Sequence, residues 1–215
     1  MGECKLARLV LGPIMTNCYL VKDLESGQIV VIDPADEAER ILDAAEKLDG
    51  KISLILLTHG HFDHICAVSR LKEQTGALIC AGKNEKELLA DPFRNLSDEY
   101  GMDLSLQADR WLSDEETVGT DHLSFKVLET PGHTQGGVCY YLESAGVLFS
   151  GDTLFDHSVG RTDFPTGSMS QIVRSIRKKL YVLPEDTAVL PGHGELTRIG
   201  TEIQENPFIA GGMAE

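Results

Sequence analysis

The sequence predicts an α/β protein, and three observations carry that prediction. Short apolar runs, partly β-branched and bounded by glycine or proline, recur along the chain as buried strands do. Segments of helical period lie between them. The 215 residues, 42% of them apolar, suffice to bury a substantial core and suit one domain, taken as residues 1–215.

In chain order, Leu6 to Val10 and Tyr19 to Lys22 alternate well enough for the first strands, and Val30-Val31-Ile32 supplies the next. An amphipathic helix follows from about Ala38 to Leu48, ending near Gly50. Ile52 to Leu57 is a further apolar run. Beyond it Ile65, Val68 and Leu71 share one helical face, and Gly76 stops the helix. Leu78-Ile79-Cys80 reads as a strand, and Asn84 with Glu87 three residues on predicts a capping box for a short helix closed before Pro92. The stretch from Phe93 to Ala108 is polar and aperiodic, either an access loop or a surface excursion. Three more strands are predicted at Phe125 to Thr130, Val147 to Ser150 and Thr187 to Leu190, with a basic helix over Ser170 to Leu180 whose Arg174, Arg177, Lys178 and Lys179 form a solvated face.

The chemistry gathers where strands end. Thr58-His59-Gly60-His61-Phe62-Asp63-His64 places three imidazoles and a carboxylate directly after one apolar run. Pro131-Gly132-His133, Gly151-Asp152 and Pro191-Gly192-His193 follow three others, so four strands each deliver a metal-type donor just beyond their carboxyl ends, where α/β proteins bind ligands. Any one of these histidines alone would be an ordinary surface or core imidazole. Of seven, however, only His122 and His157 fall outside the pattern. Imidazole and carboxylate suit zinc or iron, and one turn of chain cannot wrap four donors round a single ion while leaving room for substrate, so two metals are expected.

Composition removes other classes. A net charge of −15, from 19 basic and 34 acidic residues, disfavours a polyanion such as nucleic acid as partner. No apolar stretch of membrane-spanning length occurs, and Met1 to Leu6 lacks the organisation of a signal peptide, so a cytoplasmic location is expected. Cys4, Cys18, Cys66, Cys80 and Cys139 are odd in number and scattered, which suggests neither a disulfide framework nor a zinc ribbon. Cys66, two residues after His64, is read as a filler thiol rather than a ligand.

His59-x-His61-x-Asp63-His64 followed by His133, Asp152 and His193, with Asp33 ending an early strand, resembles the metallo-β-lactamase superfamily. The resemblance implies a four-layer αββα sandwich with a dinuclear site between two mixed sheets. It assigns His59, His61 and His133 to a first metal, Asp63, His64 and His193 to a second, and Asp152 with a hydroxide to the bridge between them. Zinc is the first expectation for both, with iron or manganese next.

Such a pair of ions lowers the pKa of a shared water towards neutrality. Asp63 and Asp152 are the expected catalytic residues, orienting that nucleophile. No independent general acid stands among the motif residues, which handicaps amide cleavage but not loss of a thiolate, so a small-molecule thioester is the expected substrate, with activated esters or lactones next.

Gly151-Asp152-Thr153-Leu154-Phe155, Gly160-Arg161-Thr162-Asp163-Phe164-Pro165 and the ending Asn206-Pro207-Phe208 resemble the small glyoxalase II-type branch, the hydroxyacylglutathione hydrolases. That resemblance implies hydrolysis of S-lactoylglutathione. Only 22 residues follow His193, fewer than the glutathione-gripping helical region of larger glyoxalase II enzymes needs. Arg161 has two readings, a substrate carboxylate ligand or a partner of Asp163 holding the loop. The rival enzyme is a persulfide dioxygenase, which shares the Gly-Arg-Thr-Asp-Phe loop and would hold one iron on His59, His133 and Asp152. A non-catalytic metal-binding protein would show lost ligands, and none is missing.

Overall fold

The computed structural model describes residues 2–210. Met1 and residues 211–215, part of the expected domain, lie outside the described residues. The first sheet joins β1 (Cys4–Leu11), β2 (Thr16–Asp23), β3 (Gln28–Ile32), β4 (Lys51–Leu57), β5 (Leu78–Gly82) and β6 (Arg110–Leu112) in that order. The second is built from β7 (Thr117–Gly119), β8 (Ser124–Glu129), β9 (Val138–Leu142) and β10 (Val147–Gly151). After a small hairpin of β11 (Leu154–Phe155) and β12 (Ser158–Val159), β13 (Ala188–Pro191) and β14 (Thr197–Arg198) complete it in the order β14-β13-β10-β9-β8-β7. Both sheets are mixed: β3 through β6 run parallel, as do β10 and β13, while the remaining pairs are antiparallel.

Period-two alternation explains how these strands stack, because successive side chains point to opposite faces. Val30, Ile32, Leu54 and Leu56 face inward and meet Phe125, Val127, Tyr140 and Phe149 of the opposite sheet. Their neighbours Ile29, Val31, Ile55 and Leu57 face outward, where α1 (Ala38–Lys47) contributes Ile41. Two short helices, α2 (Phe62–Ile65) and α3 (Val68–Thr75), cover the same face with Ile65, Val68 and Leu71. After α4 (Lys86–Ala90), the opposite outer face, with Leu128, Cys139, Leu148 and Val189, is closed by α5 (Met169–Ser175), α6 (Ile199–Glu205) and α7 (Pro207–Ala210). The result is the four-layer helix–sheet–sheet–helix arrangement expected.

Three local expectations need correction. The helix carrying Ile65, Val68 and Leu71 is interrupted at Cys66 and Ala67, because the Ala67 amide donates to the Pro34 carbonyl at 3.0 Å instead of to its own helix. Gly76, at φ 70°, ends α3 as predicted. The capping box at Asn84 does not form: residues Lys83–Glu85 make a separate 3₁₀ turn, α4 starts at Lys86, and Glu87 pairs with Arg94 at 2.7 Å. The basic helix passes into a wider π turn over Ile176–Leu180; Arg177 donates to the Ile209 carbonyl and Lys179 pairs with Asp114, so the solvated face is partly tied down. Among the described residues no helix is long and apolar enough to cross a membrane.

Candidate metal centre

The sheets meet along one edge, where side chains and main chain cross between them. Tyr140 Oη donates to the Leu57 carbonyl at 2.8 Å and Val138 N to that of Thr58 at 2.8 Å. Tyr19 Oη and Asn17 Nδ2 both donate to the Pro191 carbonyl, at 2.7 and 2.9 Å, and Asn17 N to that of Gly192. These bonds seat the end of β4 on β9 and the loop after β13 on β2, and a bridge between Thr16 and His193 extends the second of these sutures. All seven predicted donors converge at this edge.

His59, His61 and His133 form one buried cluster, His59, His64 and Asp152 a second, and Asp63, His64 and His193 a third, each with donor atoms within 4.8 Å of one another. His61 Nδ1 and His133 Nε2 approach to 2.9 Å. Asp152 lies between the groups: its Oδ2 is 3.6 Å from His133 Nε2 and 3.5 Å from His193 Nε2, and its Oδ1 is 3.4 Å from His64 Nε2. Asp63 Oδ2 is 3.2 Å from His193 Nε2 and 3.5 Å from His64 Nε2. Gly192 packs where a β-carbon would run into Asp152 Oδ1 and His64, so this approach tolerates no side chain.

Hydrogen bonds outside the donor cluster fix which ring nitrogen points inward. Thr58 Oγ1 donates to Asp33 Oδ2 at 2.6 Å and is thereby left to accept from His59 Nδ1 at 3.1 Å. The Nδ1–H of His64 donates to the same Asp33 oxygen at 3.0 Å, and the Nδ1–H of His133 to the Arg161 carbonyl at 2.7 Å. Each ring therefore turns its Nε2 towards the cluster, the nitrogen through which it would hold a metal once free of its proton. The residues fit a cation in a further respect: the buried His59 Nε2, His61 Nε2 and Asp152 Oδ1 have no hydrogen-bond partner within the protein.

Electrostatics divide the cluster. Burial, reinforced by the neighbouring imidazoles, lowers the basicity of His59 far below the usual histidine range and pushes His61 down to about 3. Burial would lower His64 as well, but Asp63, Asp152 and Asp33 override it and hold its pKa well above the ordinary value. Burial likewise opposes the charges of Asp152 and Asp63, which the surrounding histidines nonetheless keep ionised. Protonated His64 and the partly exposed His193, also raised by Asp152 once burial is overcome, are the countercharges a divalent cation would displace with release of protons.

A cavity of about 500 Å³ opens onto Asp63, Asp152, His61, His133 and His193. Its walls include Phe155, Phe164 and Arg161, and also Leu96, Glu99 and Tyr100, so the polar stretch from Phe93 to Ala108 lines the access to the cluster. Tyr100 packs on Phe62 with ring centroids 4.2 Å apart. Arg161 forms the expected pair with Asp163, and its place beside the cavity leaves the substrate reading open. It borders the cavity and lies 4.2 Å over the Phe164 ring, while its Nε and Nη2 pair with the two oxygens of Asp163 at 3.0 and 2.7 Å. Cys66 donates to the Phe62 carbonyl and joins none of the donor clusters.

Sequence reasoning missed Thr16, whose hydroxyl donates to Asp63 Oδ2 at 2.9 Å, along with Asn17, Thr58 and Tyr100. The polar Thr16-Asn17 pair at the mouth of a strand was the available signal. A fourth cluster, Asp156, His157 and Glu202, contributes no residue to the cavity lining, and its buried Glu202 is engaged by Thr197, Asn206 and the His157 amide.

Comparison with known proteins agrees with this geometry. The Metallo-beta-lactamase superfamily matches residues 11–193. Hydroxyacylglutathione hydrolase GloC of Haemophilus influenzae is 37% identical over 196 residues, covering 90% of this chain and 92% of that protein. An uncharacterised protein of Aquifex aeolicus is 40% identical over 92% of this chain and 93% of its own. Among solved structures, BLEG-1 B3 metallo-β-lactamase superimposes with a TM-score of 0.90 at 37% identity, covering 96% of this chain and all of that one. The di-iron-bound form of TTHA1623 gives 0.84 at 35%, over 94% and 99%, and ETHE1 of Myxococcus xanthus 0.83 at 32%, over 96% and 85%. With a match over most of its length, and with the superfamily's His and Asp clusters brought to one edge of the two sheets, this chain belongs to the metallo-β-lactamase superfamily.

Proposed function

We propose that the protein is a metal-dependent hydrolase that cleaves small thioesters, of the hydroxyacylglutathione hydrolase type. The observation that carries this reading is the pair of complete donor sets flanking Asp152 at the floor of the 500 Å³ cavity. His59, His61 and His133 would hold one divalent ion, Asp63, His64 and His193 a second, and Asp152 would reach both. When bound, such ions supply Lewis acidity and lower the pKa of a shared water.

The chain's own residues supply the rest. Asp63 and Asp152, kept ionised by their histidine neighbours, accept hydrogen bonds from the attacking water and set its direction. Phe155, Phe164 and Tyr100 wall the cavity and reduce water access, and Arg161 offers a guanidinium to an anionic end of the substrate. A thiolate, unlike an amine, leaves without a proton donor, so thioester cleavage needs no general acid beyond the donor residues. The 37% identity to GloC supports the same class.

ETHE1 likeness favours one rival, a dioxygenase using a single iron on His59, His133 and Asp152. The intact set of Asp63, His64 and His193 weighs against it. Elemental analysis of purified protein, combined with S-lactoylglutathione, nitrocefin and glutathione persulfide as substrates, separates the cases. Two equivalents of metal and fastest turnover of the thioester are expected. One iron with oxygen uptake on the persulfide, or preference for nitrocefin, would overturn the proposal.

A further inference from the structure

Four carboxylates are fully or almost fully buried outside the donor clusters' centre: Asp23, Asp33, Glu85 and Glu202. Asp23 and Glu202 have hydrogen bonds on both oxygens, and Asp33 is consumed by Thr58 and His64. Glu85 differs. Its Oε1 accepts from the Thr134 hydroxyl and from the Gly136 amide at 2.9 Å, yet its Oε2 is buried without a partner. A buried carboxyl group left half satisfied costs free energy and persists where the surrounding structure imposes it.

The location supplies a reason. Thr134 follows His133, and the Gly60 backbone, between His59 and His61, also favours the charged form of Glu85. Gly136 packs so closely that a β-carbon there would run into the backbone of Asn84 and Glu85, and Gln135 Nε2 donates to the Asn84 carbonyl at 3.3 Å. The 3₁₀ turn at Lys83–Glu85 is thus wedged between the two loops that carry the His59, His61 and His133 set, whose closest pair of nitrogens is 2.9 Å apart. We infer that Glu85 is a positioning residue for that first donor set alone, tying the His133 loop to the His59–His61 loop so that their ring nitrogens converge. Asp63, His64 and His193 are held by other contacts, from Thr16, Asp33 and the β2 suture. The inference rests on the proposed use of these residues as metal ligands.

The test is calorimetric titration of metal-free protein with zinc in two backgrounds that each keep one donor set: His193→Ala for the first and His133→Ala for the second. Glu85→Gln preserves size and one acceptor oxygen but replaces the buried, unpartnered oxygen with an amide. It should weaken zinc binding about 10–100-fold in the His193→Ala background and leave the His133→Ala background unchanged. Val118→Ala, a core change in β7, controls for general destabilisation: it should lower the thermal midpoint and alter neither titration. Equal weakening in both backgrounds, or none in either, would overturn the inference. Absence of zinc uptake by the unsubstituted protein would instead overturn the metal reading beneath it.

Discussion

Asp33 Oδ2 accepts a hydrogen bond from His64 Nδ1 at 3.0 Å, and the same oxygen reaches His59 through the Thr58 hydroxyl. One carboxylate at the end of β3 therefore orients an imidazole in each donor set. Asp33→Ala should weaken metal binding at both, by about 10–100-fold, whereas Thr58→Val should affect the His59 set alone. Metal content after dialysis against a weak chelator measures this, and loss at only one site in Asp33→Ala would refute the shared orientation.

Asp152 stands within 3.6 Å of nitrogens from both donor sets. Asp152→Ala should abolish turnover and release both ions together. Cys66→Ala should hold activity within about twofold, as substitutions away from such features do. Comparable losses in the two variants would mean that the ranking of these residues is wrong.

Burial pushes the carboxyl of Glu85 up to about 7, above its ordinary value of 4.5. The fold thus favours the protonated form. Its stabilising contribution is complete below the unfolded value and is lost as pH rises through the folded one, at up to about 1.4 kcal/mol per pH unit. Glu85→Gln titrates nowhere, so the stability of metal-free protein against denaturant should fall less steeply between pH 4.5 and 7 in the variant. Parallel stability profiles would contradict this.

The Arg161 backbone carbonyl holds His133, while its exposed guanidinium pairs with Asp163. Replacing the side chain leaves the first contact in place. Arg161→Ala should therefore raise KM for an anionic thioester about tenfold, the worth of one charge-assisted bond, with kcat little changed. A collapse of kcat accompanied by metal loss would show that the side chain serves only to hold its loop.

Most of the layering and the convergence of the seven candidate donors were legible in the sequence, since β-branched runs ending at glycine or proline mark strand ends whatever the tertiary context. What escaped was decided by contacts remote in sequence. β6 and β7 each span three residues, too few for periodicity to register. The break at Ala67 depends on Pro34, and the failed capping box at Asn84 on the interior engagement of the adjacent Glu85. Thr58 and Thr16 look like ordinary strand-end residues until folding brings them against Asp33 and Asp63.

The suture between Thr16 and His193 ties the start of the second strand to the last donor of the cage, 177 residues later. A nascent chain emerging from the ribosome displays His59 through His64 long before His193 exists, and domains acquire their contacts as the segments become available. Completion of the Asp63, His64 and His193 group is in this way a late event of biosynthesis. Until residue 193 has been made, Asp63 and His64 lack the third member of their group.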